Sequence, residues 1–150
     1  MLAVFLFLSL LAQSLAMLDF GGSVDCAGRG GVFDQSCLDC ICQIESGCKP
    51  IGCHMDVGSL SCGYYQIKLP YYTDCGKPGK DWKSCADNYQ CATTCVENYV
   101  GRYYKYCTGS RTPVCCEDVA RIHNGGPLGC KKQGTLGYWN KIAKCLKRRQ

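Results

Sequence analysis

Sixteen cysteines lie between Cys26 and Cys145 of this 150-residue chain, and no other feature constrains its folding as much. Their number is even. Ahead of them, Met1 to Ala16 form an uncharged, almost wholly apolar run ending in Ser14, Leu15 and Ala16. That run is short for a membrane span and reads as a secretory signal peptide, although the usual positive start is missing. An even cysteine count behind such a leader implies a disulfide framework made in an oxidising compartment. Which cysteine pairs with which does not follow from the count. Cys37, Cys40 and Cys42 have a spacing that a zinc site can use, but zinc sites rarely come with so many other cysteines and a signal peptide, so no metal is expected. Residues 17–35 are glycine-rich and read as an irregular N-terminal arm. From 36 to 150 no shift in composition, linker, repeat or low-complexity segment divides the chain, which makes one domain.

Six of the cysteines fall between Ser36 and Lys68, around two carboxylates, Glu45 and Asp56. The first half of that stretch reads as a short helix, because Cys37, Ile41, Ile44 and Cys48 recur at helical spacing. Ser36 and Asp39 have capping-box spacing at its start, and Gly47 with Pro50 supplies the stop. Glu45 then sits on the last turn, at the negative end of the helix dipole among Ile41, Cys42 and Cys48, a setting that suits a proton-donating carboxyl. Asp56 opens a run in which two residues of Gly58, Ser59 and their neighbours can turn and Leu60 onward reads as a strand. A small hairpin is expected there, with Asp56 on polar, partly solvated backbone. One carboxyl easily stripped of water beside one that stays hydrated is how a pair divides into acid and nucleophile for glycosidic cleavage. Two acids this close in sequence are also common as plain solvated surface, and spacing alone does not separate the two readings.

Further along, Leu69 to Asp74 lead into a loop from Cys75 to Gly79, rich in Gly and Pro. Tyr71 and Tyr72, on a loop beside the site, can stack on sugar rings or simply pack. Between Asn88 and Tyr106 the residues Cys91, Cys95, Val96, Tyr99, Val100 and Tyr103 share one helical face, which predicts the longest helix. Gly101 inside it predicts close packing or a bend. Thr112 and Pro113 break the chain, and Cys116 to Ile122 fit a short helix with Glu117 and Asp118 in its favourable first turn, ended by His123 and the glycines after it. Thr135 to Arg149 read as an amphipathic helix with Trp139, Ile142, Cys145 and Leu146 inward and Lys141, Lys144, Lys147 and Arg148 in water. Several short helices with a small β-hairpin make the fold class α+β, a small disulfide-rich domain.

The segments CLDCICQIESGC, MDVGSLSCGYYQIK, DCGKPGKDWKSCA and RIHNGGPLGC resemble, in order, the signature segments of the invertebrate-type lysozymes, destabilase-like proteins among them. The resemblance covers about Ser36 to Cys145. It implies a lysozyme-like fold and a secreted, extracellular muramidase that hydrolyses the β-1,4 bond between N-acetylmuramic acid and N-acetylglucosamine in bacterial peptidoglycan, for defence or digestion. Glu45 is then the proton donor and Asp56 the nucleophile, and no metal or organic cofactor is needed. The same resemblance implies sugar contacts from Lys68, Leu69, Pro70, Tyr71, Tyr72, Thr73 and Asp74, from Tyr99, and from His123, Asn124 and Gly125. It implies short bridges between Cys42 and Cys48, Cys53 and Cys62, Cys75 and Cys95, and Cys85 and Cys91. Cys26 and Cys115 are additions to the family pattern and are expected to pair, pinning the arm.

A net charge of +5 draws such an enzyme to an anionic bacterial wall and makes it sensitive to salt. The basic residues are scattered and form no nucleic-acid module. The basic face of the last helix is normally a solvated surface; it gives a secondary membrane activity at most, without stable insertion. A monomer or weak dimer is expected. Two other readings stand beside the muramidase. One is an isopeptidase cutting glutamine–lysine side-chain bonds with Ser59 or Ser61 activated by Lys68 or His123. The other is a sugar-binding or antimicrobial protein that kept the scaffold without catalysis.

Overall fold

The computed structural model describes residues 25–150; the expected signal peptide and the start of the arm, 17–24, lie outside the described residues. The described part of the arm is a pinned turn. A single 3-10 turn, Ala27–Arg29, is held by a Cys26–Cys115 disulfide, by a β-bridge between Val32 and Cys115, and by ion pairs from Arg29 to Glu117 and Asp118.

Helix α1, Gln35–Ser46, begins two residues earlier than the expected capping box implies. Its cap is Asp34, whose extended backbone lets its carboxylate accept the Cys37 amide proton, so Ser36 lies inside the helix. Asp39 instead accepts hydrogen bonds from Gln35 and Arg149. Gly47 ends α1 in the left-handed conformation at φ 67°, with its amide turned back to the carbonyls of Cys42 and Gln43. Strands β1, Cys53–Asp56, and β2, Ser59–Cys62, form the antiparallel hairpin, with Asp56 opposite Ser59 and Cys53 opposite Cys62. The two turn residues, Val57 and Gly58, both have positive φ (45° and 77°), the type I′ geometry whose twist matches that of the strands.

The tyrosines expected on a loop are helical. Helix α2, Leu69–Asp74, carries Pro70 in its first turn, where a missing amide proton costs no hydrogen bond. A five-residue helix α3, Trp82–Ala86, follows, capped by Asp81. Helix α4, Tyr89–Thr108, is capped by Asn88 and is the longest. A Cβ placed on its Gly101 would meet nothing within 4 Å, which overturns the expected close packing there. Helix α5, Cys116–Gly125, runs beyond Ile122, so His123 is part of its last turn. Helix α6, Leu136–Lys147, buries Trp139, Ile142, Cys145 and Leu146.

Helix α5 is the centre of the molecule, packed against α4 on one side and α6 on the other, with α1 closing over α6. Ile41, Val96, Val119, Ile122 and Ile142 meet there at 0 % exposure, each worth about 1.5–3 kcal/mol of burial. All 16 cysteines are paired. Local bridges join Cys42 to Cys48, Cys53 to Cys62, Cys75 to Cys95 and Cys85 to Cys91. Longer ones join Cys37 to Cys116, Cys40 to Cys145 and Cys107 to Cys130. Cys37, Cys40 and Cys42 are thus spent on three disulfides, which leaves that run no thiolate for zinc. The whole is the expected α+β, disulfide-rich architecture.

Candidate active site

Glu45 is fixed by the end of α1. The left-handed Gly47 turns the chain, and the Cys42–Cys48 bridge closes a small ring over the last turn that carries Glu45. Its carboxylate is 19 % exposed. Tyr138 of α6 donates its hydroxyl proton to Oε1 at 2.7 Å, and His123 Nε2 stands 3.4 Å from the same oxygen. Oε2 has no hydrogen-bond partner among the described residues. Burial, and next the charge of Glu45, push the Tyr138 phenol well above its ordinary range, so it remains a donor throughout neutral pH.

The histidine is held on both sides. Its Nε2 lies 3.1 Å from the Tyr65 carbonyl oxygen and its Nδ1 3.0 Å from the Tyr71 hydroxyl. A carbonyl only accepts, so in the neutral ring Nε2 carries the proton and Nδ1 accepts from Tyr71. Tyr71 in turn stacks on Tyr99 of α4, with ring centroids 3.6 Å apart and planes 11° from parallel. Burial, then Tyr99, then Glu45 raise the Tyr71 phenol well above its usual value; burial, then Tyr103 and Asp74, push Tyr99 up to about 12.

Asp56 has a different setting. It ends β1 with its side chain 56 % exposed, and Lys68 Nζ reaches its Oδ2 at 3.1 Å and its backbone carbonyl at 2.9 Å. Ser61 lies 3.4 Å from the same Oδ2. Glu45 and Asp56 nevertheless line one cleft of about 270 Å³, together with Ser61, Gln66, Lys68, Pro70, Tyr71, Tyr99, His123, Asn124 and Gly126. A partly shielded carboxyl, held through one oxygen by a phenol, faces the same space as a solvated carboxylate paired with an ammonium. That asymmetry suits one proton donor and one nucleophile.

Several expected contacts lie elsewhere. Helical geometry turns Tyr72 into the core, where its hydroxyl donates to the Pro78 carbonyl, while Leu69 is exposed on the outside. Thr73, Asp74 and Gly125 do not line the cleft. A Cβ on Gly125 would come within 2.5 Å of the Thr135 side chain, so this glycine lets α5 pack against the start of α6. Gln66 and Gly126 line the cleft without having been singled out, although both stand inside or beside the quoted segments. Tyr138 was missed altogether. Its one signal is spacing, since with Ile142 and Cys145 it forms an i, i+4, i+7 stripe on α6.

Of the groups for an isopeptidase, Lys68 Nζ lies 2.7 Å from Ser59 Oγ and also reaches the Asp56 backbone carbonyl at 2.9 Å and its Oδ2 at 3.1 Å, while Ser61 lies 3.4 Å from that Oδ2. His123 is bonded to Tyr65 and Tyr71 and flanks Glu45, not a serine.

Comparison with known proteins places these features in a lineage. A family model described as Destabilase matches residues 34–145. Invertebrate-type lysozyme 3 of Caenorhabditis elegans is 64% identical over 73% of this chain and 84% of its own length. The lysozyme of Meretrix lusoria is 57% identical, over 77% of this chain and 92% of that protein. Among solved structures, Tapes japonica lysozyme superposes with a TM-score of 0.67 at 59% identity, covering 73% of this chain and 87% of that one. Meretrix lusoria lysozyme in complex with Aeromonas hydrophila PliI gives a TM-score of 0.69 at 57% identity, covering 75% and 89%.

Proposed function

The chain belongs to the destabilase family, that of the invertebrate-type lysozymes, and from that premise we propose that it is a lysozyme in which Glu45 is the proton donor and Asp56 the nucleophile. The substrate is bacterial peptidoglycan, cut at the β-1,4 bond between N-acetylmuramic acid and N-acetylglucosamine. Glu45 protonates the leaving oxygen while Asp56 attacks the sugar carbon; Glu45 then takes a proton from the water that releases the glycosyl-enzyme. Each carboxylate has one oxygen anchored, Oε1 by Tyr138 and Oδ2 by Lys68, so its other oxygen is presented in a fixed direction. The Tyr138 phenol also stabilises the carboxylate left behind when Glu45 gives up its proton, which favours the transfer. Lys68 keeps Asp56 charge-balanced without removing it from water. The eight disulfides agree with action outside the cell.

The observation that carries this reading is the unequal exposure of two carboxylates on one cleft, 19 % for Glu45 against 56 % for Asp56. The test is clearing of suspended peptidoglycan by the oxidised protein beside Glu45→Gln and Asp56→Asn. Each variant should lose at least about 100-fold in rate with its melting curve unchanged. Clearing by folded Glu45→Gln at the parent rate would remove Glu45 from the mechanism. Retention of the anomer in an NMR time course is expected; initial release of the opposite anomer would assign Asp56 to activating water instead.

A further inference from the structure

Tyr99, Tyr103 and Tyr106 stand at i, i+4 and i+7 on α4, on one helical face. Tyr99 lines the cleft. Tyr103 packs edge-on against it at a centroid distance of 4.8 Å, and Tyr106 follows 6.0 Å further on, tilted 30° to Tyr103. With Tyr71 stacked on Tyr99, four rings run without a break from the catalytic cleft to open surface, where Tyr106 is 57% exposed. Arg102 lies over the Tyr103 ring, 5.4 Å from its centroid, and bonds the Asp74 carbonyl at the end of α2. Tyr99 is buried and Tyr103 is half-buried against the core, but a ring as exposed as Tyr106 contributes little burial, and such a helical position is ordinarily polar.

We propose that Tyr103 and Tyr106, with Arg102 over the Tyr103 ring, form an outlying platform that binds the continuation of the glycan strand whose scissile bond lies between Glu45 and Asp56. The ligand is a polymer of N-acetylated aminosugars. Its pyranose faces carry C–H groups that suit a flat ring, and its acetamido carbonyls accept hydrogen bonds of the kind a guanidinium gives. Continuity selects this occupant over others, because Tyr99 belongs both to the cleft and to the ladder. Tyr99 to Tyr106 spans two helical turns, about 10 Å along α4, which is beyond the reach of a ligand that only fills the cleft. The platform therefore acts on long substrate and not on short. It rests on the muramidase reading above.

The experiment measures co-sedimentation with insoluble peptidoglycan in a Glu45→Gln background, which prevents cutting, and compares Tyr106→Ala and Tyr106→Phe. A parallel assay in the Glu45 parent follows turnover of a soluble oligosaccharide just long enough to fill the cleft. Tyr106→Ala should weaken polymer binding by about threefold to tenfold, the range of one aromatic contact. Tyr106→Phe should retain it, and turnover of the short substrate should be unchanged in both. Undiminished polymer binding by Tyr106→Ala, or an equal loss on short and long substrate, would overturn the platform while leaving the muramidase intact. A parent that cleaves neither substrate would overturn both.

Discussion

Glu45 shows how one side chain depends on another 93 positions away. Its helix presents it, but the hydroxyl that holds Oε1 comes from Tyr138 of α6, and His123 of α5 flanks the same oxygen. Replacing Tyr138 by Phe keeps the ring and removes one hydrogen bond to a charged acceptor, a contact worth about 1.5–3 kcal/mol. Turnover by Tyr138→Phe should fall about tenfold as the carboxyl loses its orientation. His123, Tyr71, Asp56 and Lys68 also face this cleft and are unaltered, so they do not mask the change. Undiminished turnover would mean that Tyr138 supports packing alone. This contact was illegible in the sequence because no local pattern joins α1 to α6. The places of Glu45 at the end of α1 and of Asp56 on the hairpin were legible for the opposite reason, since each depends on neighbours within a few residues, the Gly47 stop and the Val57–Gly58 turn; their proposed roles come from the family resemblance.

At the scale of the element, helices with two or more turns of apolar spacing were readable, and α1, α4, α5 and α6 lie where Ile41, Val96, Val119 and Ile142 predict them. Helices α2 and α3 were not, since six and five residues hold too little period. The loop reading left Tyr72 free to stack on sugar or to pack, and a helix of this pitch turns it inward. The junction of α1 with α6 offers a test of element packing. Asp39 on α1 accepts from Arg149 just past α6 at 2.7 Å. Burial raises the Asp39 carboxyl, but hydrogen bonds from Gln35 and Arg149 and the charge of Arg149 outweigh it, leaving it below its usual value. A folded value below the unfolded one, about 3.9, means that the stabilisation is present above that pH and is lost as pH falls through the folded value. Asp39→Asn should therefore cost under about 1 kcal/mol at pH 7, as befits a half-exposed pair. In urea melts the gap between parent and variant should close on the acid side of about pH 4. A gap that stays constant with pH would show that the side chain matters here for its shape and not its charge.

For the molecule as a whole, the disulfides decide how far the arm and the cleft are independent. Among the described residues none of the arm lines the cleft, and the arm is attached through Cys26–Cys115, the Arg29 ion pairs and the Val32 bridge. Cys26–Cys115 spans 89 positions, which taken alone would restrict the unfolded chain about as strongly as a bridge can. It does not act alone. Cys37–Cys116 leaves from the next residue and already closes most of the same loop, so with that bridge intact Cys26–Cys115 adds only a ring of roughly a dozen residues, worth about 3 kcal/mol in the chain-entropy picture. The sequence suggested that these two cysteines pair, but this nesting depends on the partner of Cys37, which counting cannot supply. The double variant Cys26→Ala with Cys115→Ala should thus lose about 3 kcal/mol of stability in chemical denaturation under oxidising conditions. Its peptidoglycan clearing per folded molecule should match the parent, because α1, the hairpin and α5 keep their own bridges. If clearing fell together with stability at a temperature where the variant is fully folded, the arm would have to be counted as part of what shapes the cleft, and the rigidity of α5 beneath His123 would be the place to look for the connection.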